Sequence, residues 1–212
     1  MSTHAEPSDG RIKVLMHRIV ARPVVYDALQ TVAGVAYSDR RMRKAIARSI
    51  PLNPESTVVD VGGGTGRART LWPESVKYVL IDNDEEKIEG FRRKGSSGEA
   101  TCVDATALPF ETATVAVAMV SAVMHHLPPG VPELVLAEIH RVLKPNGRLL
   151  LLDAVWRPRR PVGRLLWHFD RGSYPRTAGD LRRLLDDRFE IVSWETFSIL
   201  HRYILAVGRP RA

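Results

Sequence analysis

Short aliphatic and β-branched runs alternate with amphipathic stretches through the middle of this chain. Thr57–Val61, Lys77–Ile81, Ala100–Val103, Thr114–Val120 and Arg148–Asp153 have the length and composition of strands. Thr114–Val120 is almost continuously apolar, which predicts burial on both faces. Between these runs, Asp84–Lys94 reads as a helix with an acidic first turn and a basic last turn, as the helix dipole favours. Pro132–Leu143 reads as another, with "KPNG" as its stop signal. A short helix after Gly66 must end by Trp72, because Pro73 follows.

Helical spacing also precedes this region. Ile12–Ala21 and Pro23–Ala33 predict two short helices, and Asp39 is an N-cap for a third through Ser49, carrying Met42, Ile46 and Ile50 on one face. After it, Thr177 caps a helix to Asp186, and Phe189–Thr196 and Ile199–Val207 predict an antiparallel, hairpin-like pair. Alternating strands and helices imply a parallel sheet covered on both faces, with right-handed crossovers. The expected fold class is therefore α/β: a Rossmann-like, doubly wound sheet of about seven strands, mostly parallel with an antiparallel last strand.

Composition narrows the function classes. The chain has 212 residues, 44% hydrophobic and 26% charged, as ordinary globular proteins do. No apolar run approaches the roughly 20 residues of a membrane span, and "MSTHAEPSDGRIK" carries no signal-like apolar core. A cytoplasmic protein is the expectation. Cys102 is the only cysteine, which excludes an internal disulfide and a cysteine-cluster metal site; no metal is expected. The formal charge is +7, concentrated in "DRRMRKAIAR" (39–48) and "RPRRPVGR" (157–164). Such runs suit a phosphorylated ligand or an anionic surface, and equally a solvated basic face.

The candidate chemistry gathers at one edge. Asp60, Asp82, Asp104, Ser121 and Asp153 each fall at the carboxyl end of a predicted strand, where open α/β sheets bind ligands. In "VVDVGGGTGR" (58–67), Gly62, Gly63, Gly64 and Gly66 follow a strand and open a helix. Such a turn lets a ligand approach backbone and offers unpaired N–H groups to an anion. Asp82, about 20 residues beyond, suits the two hydroxyls of a ribose, and Asp84 is available to cap the next helix in its place. A nicotinamide-dependent oxidoreductase would carry G-x-G-x-x-G, whereas these glycines read G-x-G-x-G. That alternative, and a non-catalytic binding protein of the same fold, are the competing readings.

Several segments in order resemble the class I S-adenosylmethionine-dependent methyltransferases, in the branch with ubiquinone- and menaquinone-biosynthesis enzymes and many small-molecule enzymes. "VVDVGGGTGR", "YVLIDNDEEKIE", "CVDATALPFETATVAVAMVSAVMHHL" and "EIHRVLKPNGRLLLLDAVW" look like its successive motifs, covering about residues 40–155. The resemblance implies an S-adenosylmethionine cofactor. Asp60 and Gly62, Gly63, Gly64 and Gly66 would hold its methionine portion, and Asp82 its ribose, with Asn83 beside the adenine. Asp104 and the Ala105 backbone would meet the adenine edge, and Ser121 would line the sulfonium. Ala113 and Thr114 depart from the family, which usually has an Asp before the fourth strand. Residues 1–50 would form a helical lid on the domain of residues 51–212, with 155–176 an acceptor-side insertion.

The acceptor is expected to be a small molecule. His125 and His126 follow the fourth strand, and one of them at most would serve as a general base. Tyr26, Tyr37, Trp167, His168 and Tyr174, with Trp156, are polar-tipped aromatics for a lipophilic or aromatic acceptor. The basic and apolar stretch Trp156–Trp167 could contact an anionic membrane surface or clamp a phosphate. No RNA-binding module is recognisable, so nucleic acid is not an expected partner.

Overall fold

The computed structural model describes residues 35–156, 174–199 and 201–212. Contacts divide the chain into residues 1–38 and 39–212, and the fold below is that of the second unit. The helices read over 12–33, the basic run 157–164, and Tyr26, Trp167 and His168 lie outside the described residues.

The described helices are α1 (Ala36–Ser49), α2 (Glu85–Arg93), α3 (Val131–Val142) and α4 (Ala178–Asp186). The strands are β1 (Thr57–Val61), β2 (Lys77–Asp82), β3 (Glu99–Cys102), β4 (Val115–Ser121), β5 (Leu143–Val155), β6 (Phe189–Ser198) and β7 (Arg202–Pro210). They form one sheet in the order β3-β2-β1-β4-β5-β7-β6. The pairs from β3 to β5 are parallel, while β7 runs antiparallel to both β5 and β6. The chain leaves β1 outward through β2 and β3, then returns to lay β4 on the other side of β1. That reversal puts the topological switch point between the carboxyl ends of β1 and β4.

Alternation along the central strands builds two apolar layers. Val59, Val61, Val79, Ile81, Val120 and Leu151 pack with Val135, Leu136 and Ile139 of α3 and with Leu181 and Leu185 of α4. Val58, Tyr78, Leu80, Met119 and Leu150 pack on the opposite face with Met42 and Ile46 of α1 and Ile88 and Phe91 of α2. Each fully buried aliphatic side chain contributes about 1.5–3 kcal/mol, so the doubly buried β4 and β5 anchor the sheet. As expected, β4 is buried along nearly its whole length.

Most expected boundaries hold within a residue or two, and Asp84 does cap α2, accepting from the Glu86 backbone. Thr177 caps α4 in a reciprocal box with Asp180. Two differ. Helix α1 starts at Ala36, ahead of Asp39, which instead lies in the first turn, where the dipole also favours an acid. "KPNG" is not a compact stop: extended backbone begins at Leu143, directly after α3. The ladder bulges there, since Val115 pairs with Leu143 while Val117 pairs with Arg148.

Candidate functional site

The glycine turn joins β1 to a single 3-10 turn (Arg67–Leu71), and its glycines serve different ends. Gly66 has φ +74°, and a Cβ there would stand 2.1 Å from the Phe91 ring. It is a packing glycine, required so that α2 can close on the turn. Gly62 likewise has no room for a Cβ, which would meet Val123 at 2.5 Å. Gly64 has φ +59° but faces open space, with nothing nearer than the Lys87 side chain at 3.9 Å. Among these three, Gly64 is the one with space for a ligand. The turn is tied to the next strand: Gly62 and Gly63 N–H both donate to the Ile81 carbonyl, and Gly64 N–H donates to Asp82 Oδ2 at 2.9 Å.

Asp60, on β1, faces the apolar layer and is 1% exposed. Tyr78 donates its hydroxyl to Asp60 Oδ2 at 2.5 Å. Asp60 Oδ1 is buried with no hydrogen-bond partner among the described residues. Burial pushes this carboxyl up to about 6, against the pull of the Tyr78 hydrogen bond and the Arg67 charge; the neighbouring Asp82 adds to the rise. A Cβ on Gly63 would strike the same carboxylate at 2.7 Å, so the turn lies directly on it.

Asp82 ends β2, nearly buried, and is more occupied than its expected role suggests. Besides Gly64 N–H, it accepts from Asp84 N–H at 3.1 Å and from the Lys87 ammonium at 3.3 Å through Oδ1. A carboxylate has about four acceptor sites, so a ribose would share Oδ2 with the turn or displace Lys87. Asp104 is exposed beyond β3; its Oδ1 takes both Thr106 donors, which hold the carboxyl below its usual range and keep it an acceptor. Asn83 is exposed, Ala105 is half-buried, and Ser121 is the half-buried last residue of β4, opposite Leu152.

The two histidines, inseparable in sequence, part in space. His125 is buried and His126 exposed, their rings 4.0 Å apart. His125 Nδ1 is hydrogen-bonded to Asp153 Oδ1, and His125 N–H donates to Asp153 Oδ2 at 3.1 Å. Asp153 is 2% exposed at the carboxyl end of β5, so pairing of β4 with β5 brings it to the histidine. Residues after the second undescribed segment strap this turn. Tyr174 N–H donates to the His125 carbonyl, and the Arg176 guanidinium binds the Met124 and Leu127 carbonyls. Trp156 N–H donates to the Arg176 carbonyl at 2.7 Å.

Of the expected acceptor residues, Tyr174 is 45% exposed and lines a groove of about 720 Å³ between the start of α3 and α4. Arg183, Asp187 and Arg188 also line it, and none of the residues expected to bind cofactor does. Tyr37 sits half-exposed in the first turn of α1. The sequence reading missed Tyr78, Val123, Lys87 and the partnership of Asp153 with His125. A signal existed only for Tyr78: a hydroxyl inside the aliphatic run "KYVLID" requires a partner once buried. Among the described residues, no helix is long and apolar enough to cross a membrane.

The protein-family model described as "Methyltransferase domain" matches residues 59–151. A ubiquinone/menaquinone biosynthesis C-methyltransferase of Citrifermentans bemidjiense is 32% identical over 172 residues, spanning 75% of this chain and 69% of that protein. Its counterpart in Geobacter sp. (strain M21) is 32% identical over 169 residues, with the same coverage. A solved geranyl diphosphate methyltransferase, in complex with SAM, superposes with TM-score 0.68 at 17% identity, covering 82% of this chain and 85% of that one. A protein of Pyrococcus horikoshii, PH0226, superposes with TM-score 0.69 at 20% identity, covering 84% and 92%.

Proposed function

The chain belongs to the S-adenosylmethionine-dependent methyltransferases of the ubiquinone and menaquinone type, and from that premise we propose that it methylates a small, lipophilic or aromatic acceptor. The observation that carries the reading is the edge itself. Asp60, the glycine turn, Asp82, Asp104 and Ser121 stand at the carboxyl ends of adjacent strands, on and beside the switch point. The donor set fits the cofactor. A buried acid with an unpartnered oxygen suits the ammonium of the amino-acid end. Gly64 leaves space over the turn, Asp82 suits the ribose hydroxyls, and the remaining oxygen of Asp104 suits an adenine amino group. The lipophilic character of the acceptor is supported by the quinone-pathway relatives and by the geranyl diphosphate enzyme of like fold.

When bound, S-adenosylmethionine supplies an electrophilic methyl group, the hard part of the chemistry. The residues of this chain bind, orient and shield. Asp60, Asp82 and the turn fix the donor's position, and Ser121 borders the space through which an acceptor would approach; alignment of this kind supplies much of such a rate enhancement. Where the acceptor must lose a proton, His125 is the better base. Its Nδ1 is hydrogen-bonded to Asp153, which fixes the tautomer and the orientation of the ring. On this reading, His125→Gln lowers kcat with little change in cofactor affinity, whereas His126→Gln changes both little; equal losses from the two variants overturn the choice.

Calorimetry with S-adenosylhomocysteine and with NAD(P)⁺ tests the cofactor reading. One-site binding of S-adenosylhomocysteine is expected, with no heat from the dinucleotides. Dinucleotide binding without S-adenosylhomocysteine binding overturns it.

A further inference from the structure

We infer that Tyr78 is a positioning residue for the amino-acid end of the cofactor: its hydroxyl fixes Asp60 through Oδ2 and thereby reserves Oδ1 for the cofactor's ammonium group. The inference rests on the reading that Asp60 meets that end of the ligand.

The arrangement has the marks of a prepared site. Tyr78 is 1% exposed in the middle of an apolar layer, where a hydroxyl is a liability unless it is bonded. Its diagonal neighbour across the parallel β1–β2 pair is Asp60, since Val58 pairs with Tyr78 and Asp60 with Leu80. The tyrosine ring is itself wedged. It is tilted against Phe91 with centroids 6.2 Å apart, and the Arg69 guanidinium lies 5.5 Å from its centroid. Arg69 is in turn held by the Ser97 and Trp72 carbonyls, at 2.7 and 2.9 Å. The hydroxyl therefore has little freedom, and neither has the oxygen it holds. On the other side, Gly63 packs against Oδ2, since a Cβ there would meet it at 2.7 Å. Of the two oxygens, Oδ1 alone is left without a donor among the described residues. A buried, unpartnered acceptor destabilises the ligand-free fold, a cost that a cationic ligand removes on binding.

Two charged groups act on Asp60 besides the tyrosine. Asp82 from the end of β2 opposes its ionisation; Arg67 from the 3-10 turn favours it, while pairing with Asp39 of α1 at 2.6 Å. Arg69, from the same turn, lies over the Tyr78 ring. The Tyr78 hydrogen bond is the largest of the influences that keep Asp60 an anion against burial. Removing it alone makes the carboxyl harder to ionise and frees its rotation.

The test measures S-adenosylhomocysteine and 5′-methylthioadenosine binding by calorimetry from pH 5 to 8, in the parent, Tyr78→Phe, Asp60→Asn and the double variant. Methylthioadenosine lacks the amino-acid end and so reports the rest of the site. Tyr78→Phe is expected to weaken S-adenosylhomocysteine about tenfold near neutral pH. It is also expected to move the pH below which affinity falls upward by about one unit, and to leave methylthioadenosine binding unchanged. In the Asp60→Asn background the same change adds nothing. Unaltered S-adenosylhomocysteine affinity and pH profile in Tyr78→Phe, with Asp60→Asn still weakening the ligand, overturn the role of Tyr78 alone. If Asp60→Asn leaves S-adenosylhomocysteine binding intact, the reading of Asp60 fails and this inference falls with it.

Discussion

At the scale of single residues, Asp60 is where stability and binding oppose each other. Its carboxyl is pushed up to about 6 in the folded chain, from 3.8. The native state therefore holds a proton that the unfolded chain releases between those values. Asp60 favours folding fully below about pH 4, and that contribution is lost as pH rises through 6, about 3 kcal/mol in all. Asp60→Asn should then raise the thermal midpoint of the ligand-free protein at pH 8 but not at pH 4, while weakening S-adenosylhomocysteine. Thermal scans of parent and variant at both pH values check this, and a pH-independent difference contradicts it. Ligand affinity runs the other way, falling as pH drops below about 6, because the cofactor's ammonium needs the anion. Asp82→Ala should weaken S-adenosylhomocysteine by about 1–3 kcal/mol by calorimetry. Because Asp82 also holds the Gly64 N–H, Asp82→Asn is the companion variant: its amide oxygen can still take that bond while its charge is gone. Tyr78 shows why part of the site escaped the sequence reading. In "KYVLID" it counts as one more buried position, and the partner that gives its hydroxyl meaning lies 18 residues away on another strand.

At the scale of elements, the turn after β1 separates two demands that look alike in sequence. Four glycines read as one phosphate- or ligand-binding loop, yet Gly66 is needed because Phe91 of α2 occupies its Cβ position. Gly66→Ala should destabilise the fold by roughly 2–4 kcal/mol, combining a left-handed backbone with an overpacked ring. Gly64→Ala meets no atom within 3.9 Å and should incur only the backbone strain, about 1–2 kcal/mol. Its larger effect should be on S-adenosylhomocysteine binding. Urea denaturation with and without ligand distinguishes them; the reverse ranking contradicts the assignment. The strand ends carrying Asp60, Asp82 and Asp104 were legible because β-branched runs stopped at acids, a local signal. The proposed choice between His125 and His126 was not, because what supports it is Asp153, 28 residues on. The bulge at "KPNG" was equally hidden: a Pro-Asn-Gly cluster signals a turn by composition, and only the pairing of Leu143 with Val115 keeps the backbone extended there.

For the whole molecule, strand order converts scattered motifs into one site. Placing β4 beside β1 instead of beyond β3 sets Ser121 next to the glycine turn and leaves β5, with Asp153, one strand further on. The alternation of strands and helices foretold the parallel part of this sheet. It also foretold that the last strands form an antiparallel pair, but the insertion of β7 between β5 and β6 is a property of the assembled sheet. The proposed reaction is methyl transfer from S-adenosylmethionine to a small lipophilic molecule. The most direct measurement is mass spectrometry of organic and aqueous extracts of cellular metabolites, incubated with the protein and deuterated-methyl S-adenosylmethionine. A labelled product in the organic phase is expected, made far more slowly by Asp82→Ala. Label confined to the aqueous phase or to macromolecules, or no label at all from a protein that binds the cofactor, would contradict it.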